Sequence, residues 1–122
     1  MPYPRSIHSG TGPITLSLVE PTPGIVLHGT VPFRVKIVAG DPRIVDMMRL
    51  GFFQDGQMKA GPLVMWRIHS SPPYTEEFWY ASFDTSDIPD GGYEVRVTAY
   101  DSDLKIAGEL TSIFEIGRGG RV

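Results

Sequence analysis

The sequence predicts an all-β domain of the sandwich or barrel type, and three observations support this class. Apolar and polar residues alternate along several short segments, as in strands that bury one face. Turn-forming residues separate these segments at short intervals, with 14 Gly and 11 Pro among the 122 residues. No window of about eleven residues shows the apolar spacing of a helix without a Gly or Pro that interrupts it.

Three segments show the alternation most clearly. Their inward-facing residues are predicted to be Ile14, Leu16 and Leu18; Phe33, Val35, Ile37 and Ala39; and Tyr93, Val95, Val97 and Ala99. In the last two segments the alternate positions carry charged or polar side chains, namely Arg34 and Lys36, and Glu94, Arg96 and Thr98. This pattern predicts half-buried strands of an antiparallel sheet.

The middle of the chain is different, because residues 45–53 and 63–68 are apolar at both odd and even positions. This composition indicates either central strands or strands whose outer face meets a partner. The pair Asp55-Gly56 between them is a typical hairpin turn.

The ends of the chain predict tails outside the domain. Residues 1–13 contain three Pro and two Gly without alternation, and residues 117–122 read Gly-Arg-Gly-Gly-Arg-Val. We therefore expect an N-terminal arm over 1–13, a folded domain over 14–116 and a C-terminal tail over 117–122. We expect no signal peptide, since no apolar stretch follows Arg5, and no transmembrane segment.

A longer motif indicates which type of all-β fold the chain adopts. Residues 83–101 read Phe-Asp-Thr-Ser-Asp-Ile-Pro-Asp-Gly-Gly-Tyr-Glu-Val-Arg-Val-Thr-Ala-Tyr-Asp. This segment resembles the region before the last strand of bacterial and phage immunoglobulin-like and fibronectin-like modules. The resemblance extends over about residues 14–116 and implies an immunoglobulin-like Greek-key β-sandwich of about seven strands. Gly91 and Gly92 are suited to a positive φ at the corner, and Tyr93 to a tyrosine corner.

The sequence argues against an enzyme and against a cofactor. The absence of Cys excludes thiolate catalysis, Cys-type zinc sites and disulfides. No phosphate-binding loop, zinc-protease or nucleophile-elbow motif is present. The three histidines, His8, His28 and His69, are too scattered to indicate a catalytic group.

Charge is unevenly distributed along the chain. The net charge is −3, but residues 76–103 hold eight acidic residues against Arg96, so this segment carries −7 and the remainder +4. Asp90, Asp101 and Asp103 offer oxygen ligands that suit calcium, although solvated turn residues are the better interpretation, so no metal is predicted. The net charge also argues against nucleic acid as a partner, despite Arg-Gly-Gly at 118–120.

The leading functional hypothesis is a non-enzymatic module that docks on a larger protein assembly. A sandwich with basic arms resembles phage capsid decoration (cement) proteins or the immunoglobulin-like domains of virions. Its partner is expected to be a capsid or other copies of the chain, without a membrane. The predicted contact residues are Tyr3, Arg5, Ile7, Arg118 and Arg121 in the arms, and Phe52, Phe53, Met47 or Met48 on a sandwich face.

The alternative is a carbohydrate-binding or adhesion module of a secreted bacterial protein. Tyr74, Phe78, Trp79 and Tyr80 with Trp66 offer aromatic rings for sugar stacking, and Trp66 and Trp79 are the predicted platform. Strand alternation sends Trp79 and Tyr80 to opposite faces, so one of the two is expected in the core. The expected location is accordingly a virion or the bacterial cell exterior.

Amide residues are scarce, with no Asn and two Gln. Such depletion is found in proteins from hot environments, and codon bias of a GC-rich genome is the other explanation. The five Met and the charged fraction of 20% argue against thermal adaptation.

Overall fold

The computed structural model describes residues 13–68 and 77–117, and this part of the chain forms nine β-strands. The only helix within it is one 3₁₀ turn, Pro42–Ile44, and none is long and apolar enough to cross a membrane. The strands are β1 Thr15–Glu20, β2 Val26–Leu27, β3 Thr30–Ala39, β4 Met47–Gln54, β5 Gln57–Val64, β6 Trp66–Ile68, β7 Glu77–Asp84, β8 Gly91–Tyr100 and β9 Ile106–Ile116.

The strands form two packed sheets. One sheet has four strands in the order β1-β3-β7-β6, and the other has five in the order β2-β9-β8-β4-β5. All neighbours pair antiparallel except β2 and β9, which are parallel. This arrangement is an immunoglobulin-like Greek-key sandwich. The strand number exceeds the expected seven or so because β2 and β6, with two and three residues, are separate short strands.

The predicted alternation matches the buried core with one exception. The inward positions of β1, β3 and β8 are buried together with residues of β4, β7 and β9. Ala39 is exposed, because β3 has passed the edge of the packed core at its last two residues. The segment that begins at Met47 is a central strand, since β4 pairs with β8 on one side and β5 on the other.

Two turns form as the sequence predicts. Asp55 and Gly56, with φ of 54° and 79°, join β4 to β5 in the geometry of a type I′ hairpin. At the corner before β8, the Tyr93 hydroxyl donates a hydrogen bond of 2.6 Å to the Pro89 carbonyl while its ring lies in the core. Gly91 has a positive φ of 146°, whereas Gly92 does not.

The chain crosses from one sheet to the other between β5 and β6, and this crossing shapes one edge of the sandwich. The Met65 side chain is buried, and its amide donates to the Met48 carbonyl at 2.8 Å. The next residue, Trp66, already belongs to the four-stranded sheet. Arg67 anchors the crossing, because its Nη2 donates to the Val45 carbonyl and its guanidinium lies 4.8 Å from the Trp79 ring centroid.

Candidate binding surface

Aromatic and basic side chains share the outer face of the four-stranded sheet. Trp66 lies opposite Tyr80, Tyr80 lies opposite Arg34, and Phe78 lies opposite Lys36. Directly opposed residues of neighbouring strands project from the same side of a sheet. We call this set, Arg34, Lys36, Trp66, Phe78 and Tyr80, the aromatic face.

Trp66 is the most exposed large hydrophobic side chain in the described part of the protein, at 73%. The ring of Phe78 is more protected, since the Arg34 and Lys36 cations lie 5.8 and 5.9 Å from its centroid. Arg34 also forms an ion pair of 3.4 Å with Glu20. The aromatic face therefore offers one open indole ring beside a partly covered region of rings and cations.

An open notch borders the aromatic face at the edge of the sandwich. It has a volume of about 580 Å³ and is lined by Leu63, Trp66, Arg67, Tyr80, Ala81 and Ser82. Leu63 belongs to the five-stranded sheet, whereas Tyr80 to Ser82 belong to the other sheet. The notch thus lies where the chain crosses between the sheets, and its size is that of a typical ligand site.

The outer face of the five-stranded sheet carries a second set of cation–aromatic pairs. The Arg49 guanidinium lies 4.9 Å from the Tyr100 ring centroid, and its Nη2 donates to the Tyr100 hydroxyl at 3.0 Å. Arg96 lies 4.2 Å from the Phe53 ring centroid and forms a 2.8 Å ion pair with Glu94. These contacts cover the rings, so this face offers less open aromatic surface than Trp66 does.

Two predicted contact residues lie in the core, so their assignment to a surface is wrong. Phe52 is fully buried, with T-shaped ring contacts to Phe33, Phe83 and Tyr93 at centroid distances of 6.0, 4.7 and 6.2 Å. Met48 is also fully buried. The reason is strand parity, because even positions of β4 face inward while its odd positions, Met47 and Phe53, are half-buried on the outer face.

The predicted sugar platform of Trp66 and Trp79 is also wrong for one residue. Trp79 is 4% exposed and faces the core, where Arg67 covers its ring. Tyr80, its neighbour, is the surface residue of the pair and lies opposite Trp66. The structure therefore groups Trp66 with Tyr80 and Phe78 rather than with Trp79.

The predicted contact residues of the two tails lie outside the described residues. This applies to Tyr3, Arg5, Ile7, Arg118 and Arg121, and also to Tyr74 of the aromatic segment.

The acidic residues that give segment 76–103 its charge of −7 do not lie together on one face of the sandwich. Asp84, Asp87 and Asp90 lie at or before the start of β8, and Asp101 and Asp103 follow its end. A ten-residue strand spans about 30 Å, so these two groups lie at opposite ends of the sandwich.

The sequence predicts Asp90, Asp101 and Asp103 to be turn residues rather than calcium ligands, and the hydrogen bonds of Asp101 lie within its own turn. The Asp101 Oδ1 accepts hydrogen bonds from the amides of Asp103 and Lys105 at 2.8 and 3.0 Å. Within residues 13–68 and 77–117, no three His, Asp or Glu side chains group as metal ligands would. A similar turn involves Asp84, whose pKa lies below its usual range because the Ser86 hydroxyl and amide donate to its carboxylate.

Sequence reasoning missed the notch and the cations of the aromatic face. Leu63, Ala81 and Ser82 carry no motif, and they meet only because β5 and β7 approach across the two sheets. The alternation predicts that Arg34 and Lys36 face outward, but their position over Phe78 depends on the pairing of β3 with β7. Alternation in the sequence shows which face of its own strand a residue occupies. It does not show which residues of β3 and β7 lie opposite each other.

No protein-family model and no curated protein matches the chain. Among solved structures, the chain is similar to an endo-β-1,4-mannanase from Thermotoga petrophila, with a TM-score of 0.58 and 19% identity over 85% of this chain and 20% of the enzyme. It is also similar to a Niemann-Pick type C2 protein from the Japanese carpenter ant, with a TM-score of 0.62 and 9% identity over 91% of this chain and 98% of that protein. At these identities the similarity shows the shared β-sandwich fold alone.

Proposed function

We propose that the protein is a non-enzymatic interaction module that docks on a larger protein assembly through its aromatic face. The observation that carries the proposal is the open Trp66 ring, 73% exposed, directly opposite Tyr80 on the sheet. Tryptophan, tyrosine and arginine are the residues that most often dominate binding energy at protein interfaces. Trp66, Tyr80 and Arg34 are of these types and project from the same side of adjacent strands.

The physical reason is the cost of leaving a large ring in water. An aromatic side chain buries about 150–250 Å² when it is covered, and burial of apolar surface contributes roughly 25 cal/mol per Å². The core is packed with other aromatic rings, since Phe33, Phe52 and Phe114 are fully or almost fully buried. Trp66 lies outside that core, and together with Tyr80 opposite it forms an exposed aromatic group of the kind that supports a binding surface.

The assembly we favour is a phage capsid, on which the chain would act as a decoration protein or as a virion immunoglobulin-like domain. The location that follows from this proposal is the virion. Because Phe52 and Met48 are buried, we place the proposed contact surface on the aromatic face instead. In this proposal the basic residues of the arms add reach and register to the contact made by the sheet.

Sedimentation of native material tests this proposal. We expect the chain to sediment with a particle far larger than its own 13.5 kDa. Particles stripped of the chain should then rebind the purified protein. Trp66→Ala should weaken rebinding at least tenfold, as loss of an interface hot spot does. Recovery of the native chain as a free monomer would contradict the proposal.

The matched control for rebinding is Ile113→Ala. Ile113 is also a large exposed apolar residue, at 62%, but it lies on β9 in the other sheet. Its replacement should leave rebinding unchanged. An equal loss in both variants would indicate that general surface hydrophobicity, rather than the aromatic face, holds the chain on the particle.

A carbohydrate-binding module is the second candidate, since Trp66 and Tyr80 place two rings on one face beside the notch. Sugar rings stack on such aromatic surfaces. Calorimetric titration with mannohexaose and cellohexaose tests this function, the first chosen because a β-1,4-mannanase shares the fold. Binding that Trp66→Ala abolishes and Trp66→Phe retains would favour the carbohydrate, and absence of binding would exclude these two glycans.

A further inference from the structure

The four-stranded sheet has an incomplete edge beside the notch. β7 pairs with β3 along all eight of its residues, from Glu77 to Asp84. On its other side it pairs with β6 over three residues only, the last pair being Trp66 with Tyr80. No other described strand pairs with β7 on that side, so the edge is open from Ala81 to Asp84.

The pairing also shows which backbone groups of this edge point outward. In an antiparallel pair, residues alternate between those that bond to the partner strand and those whose N–H and C=O point away from it. The Thr85 amide donates to the Gly29 carbonyl at 2.9 Å, which places Thr85 on the bonded side of the register between β3 and β7. Phe83 and Ala81, two and four residues before Thr85, therefore also bond to β3. Ser82 lies between them, so its N–H and C=O point away from β3.

Pro32 supports this assignment independently. It lies directly opposite Ser82 in the register of β3 and β7. Proline has no amide hydrogen, so this position cannot form the double hydrogen bond of a bonded pair. The N–H and C=O of Ser82 are therefore directed toward the notch, where Ser82 is one of the lining residues.

The missing neighbour of Ser82 results from the crossing of the chain. If β6 continued backwards in its register beyond Trp66, residue 64 would lie opposite Ser82. Val64 instead pairs with Arg49 in the five-stranded sheet, and Met65 bonds to Met48. The notch of about 580 Å³ thus occupies a place in the sheet that no strand of residues 13–68 and 77–117 fills.

We propose that the notch accepts an extended segment of the partner protein, which adds to the four-stranded sheet as a strand antiparallel to β7. One partner residue exchanges two backbone hydrogen bonds with Ser82, in continuation of the ladder between β6 and β7. This inference rests on the proposed docking function and names its mode. It differs from side-chain contact with the aromatic face, because the backbone of β7 provides the recognition.

The geometry also defines the chemistry of the segment. Side chains on either side of the residue that bonds Ser82 point inward, toward the apolar floor that Leu63 and Ala81 form. The residue opposite Ser82 projects outward, on the same face as the Trp66 ring. The partner segment is therefore extended, carries small or medium apolar residues at the two inward positions and tolerates a polar residue between them.

A capped three-residue peptide of this pattern, Ac-Val-Thr-Val-NH₂, is the probe, because it spans the positions opposite Phe83, Ser82 and Ala81 without reaching Tyr80, which already pairs with Trp66. The ¹⁵N-labelled full chain is titrated with it and followed by NMR. We expect chemical-shift changes centred on Ser82 and the Trp66 indole, and hydrogen exchange of the Ser82 amide slowed at least fivefold at saturation. N-methylation of the central threonine removes one donor and should weaken binding about tenfold.

Two variants of the protein separate backbone from side-chain recognition. Ser82→Pro removes the amide that points to the notch without removing a hydrogen bond to β3, and it should abolish peptide binding. Ser82→Ala keeps the amide and should bind as the parent protein does. Thermal unfolding of both variants shows that the fold is intact, and a Ser82→Thr variant replaces Ser82→Ala as the control if alanine lowers the melting temperature.

Each outcome decides between strand addition and its alternatives. Unchanged binding of the N-methylated peptide, or of the parent peptide by folded Ser82→Pro, overturns strand addition. Absence of peptide binding, with shifts at Trp66 on addition of mannohexaose, overturns it in favour of a glycan. If Ser82→Pro rebinds stripped particles normally while Trp66→Ala does not, strand addition is wrong and the docking function stands. If neither variant affects rebinding, the docking surface itself is wrong.

Discussion

Tyr93 contributes both to the core and to the corner of the chain before β8. Its ring is buried beside Phe52, at a centroid distance of 6.2 Å, and its hydroxyl satisfies the Pro89 carbonyl at 2.6 Å. Because Tyr93 is only 3% exposed, its hydroxyl would lose the hydration it had in the unfolded chain if it had no partner. The hydroxyl therefore links the connection before β8 to the core at little cost in packing.

Removal of that hydroxyl is the first prediction. Tyr93→Phe keeps the ring and removes the hydrogen bond, so the free energy of unfolding should fall by about 1 kcal/mol. Chemical denaturation should show a lower midpoint with an unchanged slope. Tyr80→Phe, on the outer face, is the matched control and should change stability by less than about 0.5 kcal/mol. An equal effect of both substitutions would contradict the role of the corner hydrogen bond.

Asp84 provides a pH-dependent prediction. Its pKa is lowered because the Ser86 hydroxyl donates to its carboxylate at 2.6 Å, with a further bond from the Ser86 amide. A lowered pKa in the folded state means that this turn stabilises the protein above the pKa of the unfolded chain. That contribution is lost as the pH falls through the pKa of the folded state.

The measurement is an NMR titration of the Asp84 carboxyl carbon. Ser86→Ala should raise the pKa of Asp84 toward, but not fully to, the ordinary 3.8, since the backbone amide of residue 86 still donates. Ser86→Thr retains a hydroxyl and should keep the pKa low. The same pKa in the parent and Ser86→Ala proteins would show that the hydroxyl does not favour the charged form.

At the scale of strands, the predictability of the fold depended on how cleanly each strand alternates. β1, β3 and β8 bury one face each, so their sequences identify the inward residues apart from Ala39 at the end of β3. β4 is apolar on both faces, so hydrophobicity does not reveal which of its residues face inward, and the prediction of Phe52 as a surface residue is wrong for this reason. The position of Trp66 opposite Tyr80 depends on a register between residues 14 apart in sequence, which no local pattern encodes.

The parity of β4 can be measured directly. Phe52→Ala should lower the free energy of unfolding by about 3–5 kcal/mol, because it leaves a cavity among Phe33, Phe83 and Tyr93. Phe53→Ala should cost less than half as much, because that ring lies half-buried on the outer face under Arg96. Equal losses from the two substitutions would contradict the observed orientation of the strand.

The edges of the two sheets differ in how they resist unwanted pairing. β5 is the long edge strand of its sheet, and it carries Lys59 and Pro62, which discourage addition of a further strand. β7 has no such residue from Ala81 to Asp84 apart from the terminal carboxylate. This contrast is what makes the notch, rather than β5, the place where we expect a partner strand.

For the molecule as a whole, the core members among the described residues run from Ile14 to Ile116. Ile14 is its first member: the side chain is 3% exposed, and the amide donates to the Ala107 carbonyl at 3.0 Å. This bond ties the start of the four-stranded sheet to β9 of the other sheet. The boundary of the folded domain should therefore be sharp at this residue.

Two truncations locate that boundary. A chain without residues 1–12 keeps Ile14 and its hydrogen bond, so its free energy of unfolding should match that of the full chain within about 0.5 kcal/mol. A chain without residues 1–14 loses a buried isoleucine and one backbone bond between the sheets, and should be less stable by about 2–4 kcal/mol. Denaturation curves of the three proteins test this, and equal stability of the two truncated chains would move the boundary beyond Ile14. Rebinding of stripped particles by the chain without residues 1–12 then tests the role of the arm. Weaker binding at unchanged stability would show that the arm contributes to docking, and undiminished binding would show that it does not.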